Sequence, residues 1–172
     1  MAEDVDELTD AAEAEVRERV VRLGFGGDRK RFERFCETLC KQLPRGTGVV
    51  IRGSAVTGER WEDGAPFDAD GPGTSDLDVT LVGADVMECW LEDEYYIPAL
   101  HTKPAGDKTP HAAPALNALR EELQRIAGRP VNFQATSNLV LFARDVLFGQ
   151  PYHILVETCE GAPSSSPQGG DA

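Results

Sequence analysis

The 172-residue chain has no apolar run approaching the roughly 18 residues that a membrane helix needs, so no membrane span is expected. It also lacks a basic surplus. With 17 Lys and Arg against 30 Asp and Glu, the formal charge of −13 disfavours polynucleotide binding, because neutralisation of backbone phosphates by Lys and Arg dominates such affinity. Histidine is scarce, and His101, His111 and His153 have no spacing that defines a metal cluster; each reads as a surface or packing residue. Cys36, Cys40, Cys89 and Cys159 are scattered. The CxxxC of the first two matches no common zinc spacing and falls on an apolar helical stripe, so all four are expected as reduced core thiols. The first residues, "MAEDVDELTDAAEAEV", lack the basic region and apolar core of a secretory signal, which makes the expected location cytoplasmic.

What is present is an alternation of helical and strand patterns. Residues 4–23 are helical and acidic, with a narrow apolar stripe through Val5, Leu8, Ala12, Val16 and Val20, suited to loose packing on the body or on a partner. Asp28 is placed to cap a second helix over 29–43, whose Phe32, Phe35, Cys36, Leu39, Cys40 and Leu43 form one apolar face. "GVVIRGS" and "LDVTLVG" read as strands, separated by a Gly-, Pro- and Asp-rich surface loop over 57–74. Asp85 could cap a helix through Met87, Trp90 and Leu91, and a Pro-interrupted loop follows over 97–114. Leu116, Leu119, Leu123 and Ile126 mark a helix stopped by Gly128 and Pro130; "VNFQATS", an apolar helix with Asn138 near its start and Gly149 at its end, and the strand "YHILVE" complete the pattern.

Strands separated by helices predict an α/β (α+β) domain, a mixed sheet covered by helices. The expected organisation is an acidic N-terminal helix over 1–27, a body over 28–160 and a disordered tail over 161–172, whose composition cannot bury enough apolar surface to order itself.

Chemistry concentrates in "VVIRGSAVTG" and "SDLDVTLVG". Side chains on a strand alternate with period two, so Asp76 and Asp78 point the same way while Leu77 and Val79 enter the core. At roughly 5 Å and an effective dielectric near 20 their repulsion is about 3 kcal/mol, enough to force protonation or recruit a cation. Mg²⁺ or Mn²⁺ suits such a pair, since Mg²⁺ binds through one or two carboxylates plus substrate phosphates. Gly53 lets backbone approach a ligand closely, Ser54 adds a hydroxyl, and a short helix from Ala55 would aim N–H groups at a phosphate. Arg52 and Arg60 stand near enough to the turn to neutralise phosphate charge.

The pattern "RGSAVTGE…SDLDVTLVG" resembles the signature of the DNA polymerase β-like nucleotidyltransferase superfamily: a Gly-Ser turn, an intervening segment, then Asp-x-Asp on an apolar strand. "LVLFARDVLFGQPYHILVE" is similar to the closing helix and strand of its minimal members, so the resemblance covers about residues 49–156. It implies a nucleotidyltransferase-like fold and transfer of a nucleoside monophosphate from a nucleoside triphosphate to a protein or small-molecule hydroxyl, with release of pyrophosphate. Asp76 and Asp78 would then be catalytic metal ligands, and Gly53, Ser54, Arg52 and Arg60 would bind nucleotide. Such minimal domains often act beside a helical protein partner, including in toxin–antitoxin pairs. The segment between Ser54 and Asp76 is about twice the family length. Where three-carboxylate members place the third acid on a later strand, this chain offers Asn132 or Gln134, neither of which can act as a base at neutral pH. Glu157 is a candidate base in their place.

A competing reading is a catalytically degenerate member of the same fold that binds ligand or partner. Trp61 in the inserted loop could stack a base or pin the loop to the core. A calcium loop beginning at Asp68 fails, because Pro72 and Val79 occupy positions that need oxygen ligands.

Overall fold

Period-two alternation sorts the central strands into an apolar and a polar face. In the computed structural model, which describes residues 2–161 and side chains from residue 10 onward, Val49 and Ile51 of β1 (Gly48–Arg52) and Leu77, Val79 and Leu81 of β2 (Leu77–Val82) are buried in one core. The residues between them, Val50, Arg52, Asp78 and Thr80, face the other way. β3 (Tyr95–Ile97), β4 (His101–Thr102), β5 (Val131–Thr136) and β6 (Tyr152–Val156) complete a six-stranded sheet of order β3-β4-β5-β2-β1-β6. β2 and β5 run parallel and the other neighbours antiparallel. A parallel pair needs a long crossover, and the chain supplies one that carries α5 (Asn117–Ala127).

The helices follow their sequence signals closely where those are strong. α1 (Ala2–Phe25) leads through a Gly-Gly turn into α2 (Arg29–Gln42), whose cap Asp28 accepts from the Arg31 N–H at 3.0 Å. Phe32, Phe35 and Leu39 of α2 are buried, and Phe25 meets both phenylalanines edge-on at 5.3 and 5.1 Å between centroids. Each such fully buried ring contributes about 1.5–3 kcal/mol. Val20, Val21 and Phe25 belong to this same core, so the last turns of α1 are tightly packed where the stripe predicts loose contact. Val5 and Leu8 lie outside the described side chains. Leu116, Leu119, Leu123 and Ile126 are buried as their spacing predicts, and Gly128 closes α5 in the left-handed conformation. Asn138 caps α6 (Leu139–Asp145), accepting from the Leu141 N–H at 3.0 Å, but the helix ends at Asp145 and not at Gly149, the Leu147 and Gly149 N–H groups donating to the Phe142 and Ala143 carbonyls in a turn beyond it.

Three further expectations are corrected. The helix after Asp85 is only α4 (Ala84–Met87), and the residue at its cap is Gly83, with Asp85 inside the first turn. Trp90 is instead buried beyond the helix, its indole N–H donating to the Lys103 carbonyl at 2.9 Å. The segment 97–114 is not one loop: it contains the end of β3, all of β4 and a turn of 3₁₀ helix at Pro110–Ala112. And the four cysteines are not all reduced thiols, because Cys40 of α2 and Cys159 after β6 form a disulfide with Cα atoms 4.8 Å apart, leaving Cys36 and Cys89 free. Residues 119 apart in sequence meet only once β6 has joined the sheet edge, a proximity that local spacing does not encode. The disordered tail expected over 161–172 lies, from residue 162, outside the described residues. No described helix is long and apolar enough to cross a membrane.

Candidate functional site

The polar face of the sheet carries a cross-strand row. Arg52 on β1 pairs in register with Asp78 on β2, and Asp78 with Asn132 on β5, so three chemically distinct side chains stand side by side on adjacent strands. One row along, Val50, Thr80 and Gln134 are similarly aligned. Asp76 precedes β2 by one residue but shares the Asp78 face. Asn132 Nδ2 donates to Asp76 Oδ2 at 2.5 Å and to Asp78 Oδ1 at 3.3 Å. The two aspartates therefore converge, as the period-two argument requires. Of the two amides that the sequence offered, Asn132 is the one in contact with them. Gln134 is buried elsewhere in the polar layer, accepting from Arg52 Nη2 at 2.7 Å and donating to the Thr102 carbonyl at 2.9 Å.

Burial pushes the Asp78 carboxyl above the ordinary carboxylate range, Arg52 opposes that shift, and the neighbouring Asp76 and Glu62 charges add to it. The site holds more negative charge than its surroundings compensate. Arg52 is part of that compensation, yet its Nε is buried without a hydrogen-bond partner. Gly53 has φ +80°, and a Cβ there would lie 3.0 Å from Asp78 Oδ2. Both the backbone conformation and the proximity of the carboxylate demand glycine. Ser54 opens the short α3 (Ser54–Thr57), whose first N–H groups have no intrahelical acceptor.

One cavity of about 340 Å³ is lined by Arg52, Gly53, Ser54, Asp76, Asp78 and Arg60, together with Trp61, Glu62 and Gln150. All six residues singled out from the sequence thus border the same space. Arg60 is engaged: its guanidinium donates to Asp63 at 3.1 and 3.2 Å and to Asp70 at 2.6 Å. Trp61 does not pin the loop, being 67% exposed. Glu157 is a correction. It follows β6 and lines a different cavity with α1, at the Gly48 end of β1 and thus about 16 Å of strand from the Gly53 turn. Its register on β6 runs away from the site, because β6 is antiparallel to β1.

The inserted loop is fastened by residues that the sequence pattern did not mark. Asp68, at φ +58°, accepts from the Ser75 N–H at 2.9 Å and from Arg129 at 2.9 and 3.1 Å. Arg129 also donates to the carbonyls of Leu23, Gly24 and Ser75, and lies over the Phe67 ring at 4.6 Å. This one side chain joins the end of α1, the loop and the approach to β5. Asp68 and Arg129 are 61 residues apart, so no local signal pairs them.

The donor set fits a hard divalent cation. Two carboxylates converge on the Asn132 amide, whose N–H₂ occupies the electropositive position between them. Half a turn of that amide would present Oδ1 in its place, and nitrogen and oxygen are interchangeable in shape. Gly106 leaves the room: a side chain there would collide with Asn132 Oδ1. Among the described residues no three His, Cys, Asp or Glu side chains gather to hold an ion, so the protein offers two carboxylates and an amide, with further oxygens to come from a ligand.

No family model, curated protein or solved structure matches the chain.

Proposed function

We propose that the cavity binds a nucleoside triphosphate together with Mg²⁺ or Mn²⁺, and that the chain is a nucleotidyltransferase of the DNA polymerase β-like type. The observation that carries this reading is that Asp76 and Asp78, bridged by the Asn132 amide, line one cavity with Gly53 and Ser54. It joins a cation-binding pair to a phosphate-accepting turn, in the chain order that the sequence resemblance implies.

When bound, the cation supplies neutralisation of the phosphates and polarisation of the α-phosphate. Asp76 and Asp78 would hold it, with Asn132 Oδ1 as a third oxygen. The Ser54 hydroxyl and the free N–H groups of α3 would hold phosphate oxygens, and Arg52 would add positive charge beside them. Transfer consists of in-line attack by an acceptor hydroxyl on the α-phosphorus: one O–P bond forms, the bond to the β-phosphate oxygen breaks, pyrophosphate leaves, and the hydroxyl proton passes to solvent. Asn132 cannot take that proton, and Glu157 is remote. A protein or small-molecule acceptor, or a helical partner presenting it, would complete the site.

That same Asn132 favours a second reading, in which the site binds metal and nucleotide without transferring anything. Titration calorimetry with Mn²⁺ and each nucleoside triphosphate, in the native chain and in Asp76→Asn and Asp78→Asn, tests both. Binding that both substitutions remove is expected. A blank titration of the native chain defeats either version. Labelled nucleotide incorporated into an acceptor from cell extract, dependent on both aspartates, separates transfer from binding.

A further inference from the structure

The chain has two tryptophans, and they differ in kind. Trp90 is 4% exposed with its N–H satisfied, whereas Trp61 is 67% exposed and lines the cavity that holds Asp76, Asp78 and Ser54. The loop bearing Trp61 does not use the indole as an anchor. It is closed at its tip by Arg60 with Asp63 and Asp70, by the Arg60 N–H donating to the Ala65 carbonyl at 2.8 Å, and by the Phe67 N–H donating to the Gly58 carbonyl at 2.9 Å. At its base it is held by Asp68 with Arg129. Polar contacts and the Phe67 ring, packed against the core beneath Arg129, fix the loop without the indole, so folding leaves the large π-face of Trp61 mostly exposed at the edge of the phosphate and cation site.

We propose that Trp61 is the platform on which the nucleobase stacks, making this a site for nucleotides and not for bare polyphosphates. The inference rests on the nucleotide reading above and adds its specificity-determining residue. Every base has a π-face, so stacking on an indole tolerates all of them and by itself selects little. Selection among bases would fall to the hydrogen-bonding groups of Glu62 and Gln150, which line the same cavity. The loop that exceeds the family length then has a purpose: it carries the base-binding wall.

The test compares Mg²⁺ complexes of ATP, UTP and inorganic tripolyphosphate, followed by tryptophan fluorescence and by calorimetry on the full chain. In the native chain the nucleotides are expected to bind about tenfold or more tighter than tripolyphosphate, with ATP quenching the exposed indole. Trp61→Ala is expected to erase that difference and leave tripolyphosphate affinity unchanged, while Trp61→Phe keeps most of it. An unchanged thermal midpoint in Trp61→Ala shows that the fold is intact, as expected at an exposed loop position. Equal affinity of nucleotide and tripolyphosphate in the native chain, or full nucleotide affinity in Trp61→Ala, overturns the platform and leaves the phosphate site standing. Failure of all three probes to bind removes the nucleotide reading and the platform with it.

Discussion

The side-chain amide of Asn132 donates from a single nitrogen to both Asp76 Oδ2 and Asp78 Oδ1, at 2.5 and 3.3 Å, and so holds together two carboxylates that would otherwise repel. An amide in this position does two jobs at once. It offsets the charge of the pair by hydrogen bonding, and it leaves two carboxylates at this point where an aspartate would make three.

Asn132→Asp reverses both effects. It removes two donated hydrogen bonds and adds a third negative charge, so the cation-free protein is expected to lose about 2–3 kcal/mol, read by urea denaturation in a chelator. Its Mn²⁺ affinity at pH 8 is expected to rise at least tenfold by calorimetry. Unchanged affinity would show that the three side chains do not share an ion.

Asp78→Asn tests the electrostatic cost of the site. Burial raises the folded-state pKa of Asp78 above its unfolded value, so the folded chain takes up the proton first as pH falls. The cost of Asp78 is therefore absent below the unfolded pKa and fully present above the raised one. In a chelator near pH 7, Asp78→Asn is expected to gain about 1 kcal/mol, or roughly 2–4 °C in Tm, and to lose this advantage progressively towards pH 3. A loss of Tm at neutral pH would contradict the account.

Arg129→Ala should release the inserted loop. Burial raises the Asp68 carboxyl, but the hydrogen bonds from Arg129 and from the Ser75 and Gly73 N–H groups outweigh it and hold Asp68 below the usual range. That stabilisation is present above the unfolded pKa and is lost as pH falls through the lowered one. The substitution is expected to cost about 3 kcal/mol at pH 7, to flatten the acid limb of the stability profile, and to open residues 58–75 to limited proteolysis. Retained protease resistance would mean that the loop is held by other contacts.

Reduction of Cys40–Cys159 should lower stability by about 2–4 kcal/mol, since the bridge closes a long stretch of chain. Cys159→Ser is expected to show the same loss without reductant, and Cys36→Ser little change. Thiol titration of the unfolded, unreduced protein should find two of four cysteines reactive; four would return all of them to the reduced state.

Much of this was legible from the residues alone. The β-branched run of β1, the period of two that sends Leu77 and Val79 inward and Asp78 outward, the capping aspartate at position 28 and the terminal Gly128 are all local signals, and each element formed where its signal lay. The short strands β3 and β4 were not legible, because their few residues carry no usable period: β4 owes its place to β5 beside it, and β3 to β4.

What the sequence determined by itself was chemistry over short range: which side chains share a face, where the chain must turn, and that a glycine and a serine precede a pair of acids. Only the tertiary structure decided which distant groups meet those acids. Strand order set Asn132 beside Asp78 and sent Glu157 to the opposite end, and it brought Cys40 to Cys159 and Arg129 to Asp68. The reason is physical: periodicity and propensity act over a few residues, whereas neighbours across a sheet are fixed by how the whole chain buries its apolar faces.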